Sequence, residues 1–198
     1  MASSPVPASD ITLGILAGGR GVRLGQCEKA WLRRDGLSQV ERWSQRFAGE
    51  VSAVLVSANR DLHRFRALGL TAVADLYAEV GPVAGLDALS ATCRTPWLLT
   101  VPVDLLDAGD DLLLKLSAAA SVAGSYARDD DGTQPLVALW SVDRLRAVLD
   151  ETLPAKVWAI QELQRTLGMA CLNFEGFRFG NLNTPQDLDA AGVVFDEP

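Results

Sequence analysis

The chain has 198 residues, which is long enough for one domain with a substantial core and short for two. Apolar residues make up 48% and charged residues 22% of the chain, a balance that excludes an intrinsically disordered protein. The formal net charge of -7 argues against nucleic-acid binding, because phosphate neutralisation needs a basic face. The longest apolar stretch falls short of the roughly 18 residues that a membrane span requires, so we expect no membrane association.

The amino terminus and the cysteines indicate a cytoplasmic protein. The opening MASSPVPASD has neither the basic region nor the apolar region of a signal peptide, and it predicts a disordered tail over residues 1–10. Cys27, Cys93 and Cys171 are widely spaced and form no CxxC motif. This pattern predicts reduced thiols rather than a zinc site or a disulfide framework.

Apolar strands alternate with amphipathic helices along the first half of the chain. Strands are predicted at residues 11–16, 51–57, 70–74 and 97–101. Helices are predicted at residues 37–47, 60–68 and 82–93. This alternation favours a mostly parallel sheet with helices on both faces.

The second half of the chain is less regular. Helices are predicted at residues 110–121, 141–151, 156–167 and 184–190. Strands are predicted at residues 134–140, after an Asp-Asp-Gly turn, and at 177–182. Together the elements predict a single doubly wound α/β domain over residues 11–198, with one antiparallel strand at 134–140.

The clearest functional signal is the sequence LAGGRGVRLGQCEKA at residues 16–30, which directly follows the first strand. Its glycines allow tight turns that expose backbone N–H groups to phosphate oxygens, and Arg20, Arg23 and Lys29 add three cations. A dinucleotide-binding fingerprint is excluded because Leu24 stands where its third glycine must be, and the chain has no Gly-Lys pair for a Walker loop. The segment therefore predicts an anion-binding loop, with a plain Gly-rich surface turn as the alternative.

The pattern Leu-Ala-Gly-Gly-x-x-x-Arg-Leu-Gly-x-x-x-Lys at residues 16–29 resembles the signature loop of the MobA-type nucleotidyltransferases, the molybdenum cofactor guanylyltransferases. Further blocks resemble this family in the same order: Ser-Ala-Asn-Arg at 57–60, Asp75, Gly-Pro-Val-Ala-Gly at 81–85, Pro-Val-Asp at 102–104, Gln-Pro at 134–135 and NLNTPQDL at 181–188. The resemblance implies a three-layer α/β/α Rossmann-like nucleotidyltransferase domain. It also implies transfer of GMP from GTP to the terminal phosphate of molybdopterin, with Mg²⁺ as cofactor and pyrophosphate as the leaving group.

The resemblance assigns roles to individual residues. The implied catalytic residues are Lys29, Arg23 and Asp104, and Asp104 is the implied Mg²⁺ ligand. The implied nucleotide-binding residues are Leu16, Ala17, Gly18, Gly19, Arg20, Lys29, Asn59, Asp75, Gly81 and Asp104. The implied acceptor-side residues are Gln134, Asn181 and Asn183. The residue chemistry agrees, since a carboxylate that ends a parallel strand suits Mg²⁺, and an amide beside a carboxylate suits a guanine edge or sugar hydroxyls.

Several alternatives remain open at this point. Gln134 stands where the family usually has His or Arg, and this departure lies on the acceptor side of the implied site. The nucleotide alternative is CTP, the acceptor alternative is a sugar phosphate, and the non-enzymatic alternative is a nucleotide-binding protein on the same fold. Asp104 also fits a turn or cap residue, and Asn181 and Asn183 also fit an Asn-rich turn before a helix. Cofactor-handling proteins or molybdoenzymes are partners implied by the resemblance alone.

Overall fold

The computed structural model of the protein describes residues 6–18, 28–75, 77, 81–154 and 159–195. Its elements in chain order are β1 (Ile11–Leu16), β2 (Arg33–Arg34), β3 (Leu37–Ser38), α1 (Gln39–Arg46), β4 (Ala53–Ser57), α2 (Leu62–Ala67), β5 (Thr71–Val73), α3 (Pro82–Thr92), β6 (Trp97–Pro102), α4 (Leu112–Ala119), β7 (Gly124–Asp129), β8 (Gly132–Ser141), α5 (Val142–Thr152), α6 (Ile160–Leu167), β9 (Ala170–Asn173) and α7 (Pro185–Ala191).

A seven-stranded sheet organises the fold, in the order β5-β4-β1-β6-β8-β7-β9. Strands β5, β4, β1 and β6 run parallel to one another, and β9 runs parallel to β7. Strand β8 is antiparallel to both β6 and β7. The mostly parallel sheet with an antiparallel strand around residues 134–140 is therefore confirmed.

Helices cover both faces of this sheet, which gives three layers. Neighbouring residues of β6 alternate between two clusters of buried side chains, with Leu99 in one and Leu98 in the other. Trp43 of α1 and Leu112 of α4 belong to the first cluster. Leu86 of α3, with buried residues of α5 and α6, belongs to the second. Successive side chains of a strand point to opposite faces, so the two clusters are the two filled layers between sheet and helices.

The predicted strand at 177–182 is wrong. The structure forms no strand there, and Asn181 makes only an isolated antiparallel bridge with Leu105. Gly176 and Gly180 take positive φ angles of 70° and 63°, which bend the backbone away from an extended path. The alternating aromatic residues between them do not line a sheet face. They pack instead with Phe174 in a cluster of tilted and edge-on rings.

The ends of several elements differ from the predictions for local reasons. Helix α1 begins at Gln39 because Ser38 caps it: the Ser38 hydroxyl accepts from the Glu41 amide, and the Glu41 carboxylate accepts from the Ser38 amide.

Residues 1–5 of the predicted tail lie outside the described residues. In the rest of that tail, the Val6 amide donates to Ser117 Oγ at 2.7 Å, and the Val6 side chain packs against the first core cluster.

The structure also bears on the membrane and thiol predictions. Across the described residues, every helix is too short or too polar to cross a bilayer. Cys93 and Cys171 are free thiols, and Cys27 lies outside the described residues.

Candidate active site at the carboxyl edge of the sheet

The Gly-rich loop leaves the sheet between two neighbouring strands. The carbonyl oxygen of Leu16 accepts a hydrogen bond from the Val103 amide at 3.0 Å, and the Ala17 amide donates to the Ser57 carbonyl at 2.9 Å. These bonds hold the start of the loop at the carboxyl edge of β1, where open α/β sheets bind ligands. Gly18 follows on the surface, whereas Gly19, Arg20 and Arg23 lie outside the described residues.

Lys29 lies at the centre of a polar cluster on the same edge. Its Nζ atom donates to Asp104 Oδ2 at 2.7 Å and to Asn183 Oδ1 at 2.6 Å. The Lys29 and Asp104 side chains are only 13% and 24% exposed, so the pair is largely removed from water. The neighbours Ala30 and Trp31 are buried, which anchors the short 3₁₀ turn that carries the lysine. Three predicted site residues from distant parts of the chain thus meet at one ammonium group.

Asn183 is held in place by the start of α7. Its amide donates to Asp187 Oδ2 at 3.0 Å, and the Thr184 amide donates to the same oxygen at 2.7 Å. The Thr184 hydroxyl in turn accepts from the Asp187 amide, which completes a capping box. The hydrogen bond from the Asn183 amide, followed by those from Thr184, lowers the pKa of Asp187 below its ordinary value. Sequence reasoning missed Asp187, although the spacing Thr-x-x-Asp is a recognisable helix-start signal.

A second polar group follows β4 and β5 on this edge. Asn59 Nδ2 donates to Asp75 Oδ2 at 2.9 Å, and Asn59 Oδ1 accepts from the Asp75 amide at 2.9 Å. Ser57 Oγ donates to the other carboxylate oxygen of Asp75, also at 2.9 Å. A Cβ atom on Gly18 would lie 3.6 Å from Asp75 Oδ2, so the loop directly adjoins this group. The structure adds Ser57 to the two residues that the sequence singled out here.

The amino end of α3 approaches the same edge because Gly85 has no side chain. A Cβ atom at Gly85 would lie 2.6 Å from Ser57 Oγ and 2.9 Å from Leu16 Cδ2, both closer than packing allows. Gly81 precedes the helix with a φ angle of 73°, a conformation that favours glycine. The first turn of α3 therefore presents its backbone N–H groups close to the ends of β1 and β4.

Gln134 is the third residue of β8, and its side chain makes no hydrogen bond to the Lys29 cluster among the described residues. Its Nε2 atom donates to Asp129 Oδ1 at 3.1 Å, and Asp129 is 5% exposed. Because β8 is antiparallel to β6, the beginning of β8 and the end of β6 lie at the same edge of the sheet. The backbone of Asn181 forms a bridge with Leu105, immediately after Asp104.

The comparisons with known proteins decide the family. The profile of the MobA-like NTP transferase domain matches residues 13–166. The chain belongs to the MobA-like NTP transferase family. It is 38% identical over 186 residues to a molybdenum cofactor guanylyltransferase of Acidiphilium cryptum, covering 89% of this chain and 91% of that relative. A Yersinia pseudotuberculosis protein of the same name is 30% identical over 184 residues, covering 91% and 94%.

A solved structure supports the fold of this MobA-like chain independently. Molybdopterin-guanine dinucleotide biosynthesis protein A from Archaeoglobus fulgidus superposes with a TM-score of 0.68 at 18% identity, covering 91% of this chain and 96% of the other. The family resemblance, the nucleotidyltransferase class and the α/β fold drawn from the sequence motifs are confirmed.

The oxygen atoms of the MobA-like site are suited to a hard divalent cation. The described residues contain no group of three or more His, Cys, Asp or Glu side chains that would hold a metal without help. The Asp104 carboxylate and the Asn183 amide oxygen nevertheless both accept hydrogen bonds from Lys29 Nζ, so the two oxygen atoms lie near each other. Mg²⁺ typically takes one or two protein carboxylates and completes its shell with phosphate oxygens and water. This donor set therefore fits a Mg²⁺ ion that is shared with a triphosphate.

Proposed function

We propose that this protein transfers GMP from GTP to the terminal phosphate of Mo-molybdopterin, releases pyrophosphate and forms molybdopterin guanine dinucleotide. The observation that carries the proposal is the convergence of Lys29, Asp104 and Asn183 at the carboxyl edge of the sheet, where the start of the Gly-rich loop is also held. Membership of the MobA-like family and the printed names of the relatives support this substrate pair.

The reaction brings two polyanions together, so charge neutralisation dominates its energetics. An oxygen of the acceptor phosphate forms a bond to the α-phosphorus of GTP. The bond from that phosphorus to the oxygen bridging to the β-phosphate breaks, and the pyrophosphate departs with both bonding electrons. The site must therefore bind negative charge before the reaction and stabilise the charge that gathers on the leaving oxygen.

Lys29 is suited to this task by its position and its hydrogen bonds. Two of its three N–H donors have partners among the described residues, Asp104 and Asn183, and these fix where the ammonium group lies. We assign Lys29 to an oxygen of the α- or β-phosphate, where its charge opposes that of the departing pyrophosphate. The loop amides with Gly19, Arg20 and Arg23 remain the predicted partners of the rest of the triphosphate.

The nucleoside end of GTP is assigned to the group formed by Ser57, Asn59 and Asp75. The hydrogen bonds between these three side chains fix the Asp75 carboxylate at the edge, next to Gly18. A fixed carboxylate accepts hydrogen bonds from a guanine N–H edge or from ribose hydroxyls. Leu16, Ala17 and Gly81 complete this proposed nucleotide site through their backbone.

Mg²⁺ is the proposed cofactor, held by Asp104 with the amide oxygen of Asn183 as a second donor. When bound, the ion neutralises phosphate charge. Asp104 has a further function that is independent of the ion, because it orients Lys29 through a 2.7 Å contact.

The chemistry requires little from a general base. A phosphate monoester loses its second proton near pH 6, so the attacking oxygen is already largely deprotonated at neutral pH. The only histidine of the chain, His63, lies exposed on α2. The acceptor is assigned to the side formed by Gln134, Asn181 and Asn183, while cofactor-handling partners and a cytoplasmic location remain predictions.

The proposal predicts a preference among nucleotides. Pyrophosphate release with Mg²⁺ and Mo-molybdopterin should be fastest with GTP and about 100-fold slower with CTP and ATP. A site that hydrogen-bonds the guanine edge is left with unpaired polar groups when a different base is bound. A reaction without acceptor serves as the control. Preference for CTP would favour the cytidylyl alternative, release with a sugar phosphate instead of molybdopterin would change the acceptor, and tight GTP binding without turnover would indicate a non-catalytic binder.

Asp75→Asn tests the nucleoside site. The carboxylate now accepts from both Asn59 and Ser57. The substitution replaces one of its two oxygens with an NH₂ group, which only donates, and removes the negative charge, so the nucleoside loses an acceptor at this edge. We expect GTP affinity, measured by calorimetry in the presence of Mg²⁺, to fall about tenfold. Asp143→Asn on the exposed face of α5 is the matched control and should bind GTP like the native protein. Equal affinities for the two variants would remove Asp75 from the nucleotide site.

A further inference from the structure

Asp129 is a buried acid at the end of β7 to which neither the sequence nor the family resemblance assigned a role. It is 5% exposed, and hydrogen bonds from neutral N–H groups stabilise its carboxylate. Oδ1 accepts from the Asp131 amide at 3.0 Å, the Gly132 amide at 3.1 Å and Gln134 Nε2 at 3.1 Å. Oδ2 accepts from the Phe179 amide at 2.9 Å. Burial alone would raise the pKa of Asp129, but the hydrogen bonds from Phe179, Gln134, Asp131 and Gly132 outweigh it and lower the pKa.

These bonds belong to a clamp between the β7–β8 turn and the segment 176–183. The Asp130 amide donates to the Phe177 carbonyl at 3.1 Å, and the Gly176 amide donates to Asp130 Oδ1 at 3.1 Å. Arg178 lies 3.1 Å from Asp131 on the outer surface. Only the contact between Asp129 and Phe179 is buried among these, so it is the one that water does not replace easily.

The clamped segment continues directly into the active site. The carbonyl oxygens of Phe179 and Gly180 accept from the amides of Asp107 and Leu106, and the Leu182 amide donates to the Asp104 carbonyl at 2.8 Å. Asn183 comes next and contacts Lys29. Asp129 therefore holds the middle of a short segment whose carboxyl end positions the oxygen that faces the Lys29 ammonium group.

Asp129 also decides which way the amide of Gln134 faces. An ionised carboxylate only accepts hydrogen bonds, so Gln134 must turn its NH₂ group toward Asp129 and its carbonyl oxygen away. Residue 134 is the position where the family usually has His or Arg. With this orientation the amide oxygen of Gln134, and not its NH₂ group, remains available to a ligand.

We propose that Asp129 is a positioning residue for the acceptor side of the reaction. It orients the Gln134 amide and holds the segment 176–183, and through that segment it places Asn183 against Lys29. This inference rests on the proposed function, because it concerns the molybdopterin-phosphate half of the same site.

Asp129→Asn is the direct test because it keeps the shape of the side chain. The single remaining carbonyl oxygen is expected on the side of the three donors, which turns the new NH₂ group toward the Phe179 N–H. Two donors then face each other and the tie to the segment is lost. We expect the KM for Mo-molybdopterin to rise and kcat to fall about tenfold each, with the calorimetric affinity for GTP unchanged within about twofold.

The matched control is Asp131→Asn, which makes the same charge change in the same turn. The Asp131 side chain is 49% exposed, and its one ion-pair partner within the described part of the chain is Arg178, itself 68% exposed; such surface pairs contribute little. Its acceptor KM, kcat and GTP affinity should match those of the native protein. If Asp129→Asn behaves like this control, or loses GTP affinity as strongly as acceptor affinity, the positioning role is wrong.

Amide hydrogen exchange provides a readout that needs no catalysis. In the native chain the Phe179 amide donates to Asp129, whereas the adjacent Arg178 amide has no acceptor within the described residues. We expect Phe179 to exchange at least about tenfold more slowly than Arg178. Similar rates would overturn the proposal even if the Asn variant fails to fold. If the native protein transfers no GMP at all, the proposed function fails, while GTP calorimetry and amide exchange still decide what Asp129 does.

Discussion

Replacing Lys29 with methionine should lower kcat about 1,000-fold while the protein stays folded. Removal of one preorganised charge or donor at a developing oxyanion typically costs two to three orders of magnitude, roughly as much as this prediction requires. Methionine keeps most of the length of the side chain and removes only the ammonium group. Initial rates of pyrophosphate release at saturating GTP and Mo-molybdopterin measure the effect.

Lys115→Met is a control with closely matched chemistry. The chain has only three lysines, and Lys115 also pairs with an aspartate, Asp111, at 2.8 Å. That pair is about half exposed and lies on α4, whereas Lys29 is 13% exposed at the sheet edge. We expect Lys115→Met to keep the native kcat. Equal kcat values for the two variants would show that the Lys29 ammonium group takes no part in the transfer.

The two lysine variants also separate catalysis from stability. Lys29→Met leaves Asp104 without its cationic partner in a largely buried position, and such a loss destabilises a protein more than loss of a surface pair does. Thermal unfolding in the absence of substrates reports this cost. A variant that is still folded at the assay temperature and has a kcat lower by about 1,000-fold would assign the effect to the transition state.

The parts of the fold that the sequence predicted well are those where local pattern and tertiary structure agree. The apolar run Ile11–Leu16 ends in glycines, and the structure has β1 over the same residues. Strand β7 escaped prediction because its sequence, Gly-Ser-Tyr-Ala-Arg-Asp, is polar, although Ser125 and Asp129 are buried in it. Strand β9 has only four residues, too few for a recognisable alternation.

The candidate site divides in the same way. The loop and Asp104 could be singled out from the sequence because phosphate and Mg²⁺ binding need particular groups, and their roles stay predictions. The contact of Lys29 with Asn183 could not, since the two residues are 154 positions apart and meet only through the sheet topology. Asp129 could not be singled out from the sequence for a related reason. Its proposed positioning role depends on the segment around Phe179, which packs against it only in the folded chain.

Asp104→Asn should reduce kcat about 100-fold and raise the Mg²⁺ concentration needed for half-maximal activity. The amide keeps the size of the side chain, but it is a neutral and weaker oxygen ligand for a hard cation. It also keeps one oxygen that can accept from Lys29 Nζ, so the lysine should stay near its present position. The fall in kcat is of the size expected when one electrostatic partner of the transition state is lost.

The Mg²⁺ titration separates two roles for Asp104. If the carboxylate holds the ion, the activity curve of Asp104→Asn shifts to higher Mg²⁺ by about tenfold or more, since an uncharged ligand binds the ion less tightly. If it serves only to orient Lys29, kcat falls and the midpoint of the curve stays where the native protein has it. Asp111→Asn removes a carboxylate that also pairs with a lysine, but on the exposed side of α4, and it should change neither quantity. An unshifted midpoint for Asp104→Asn would move the proposed metal site elsewhere and leave Asp104 as the residue that positions the catalytic lysine.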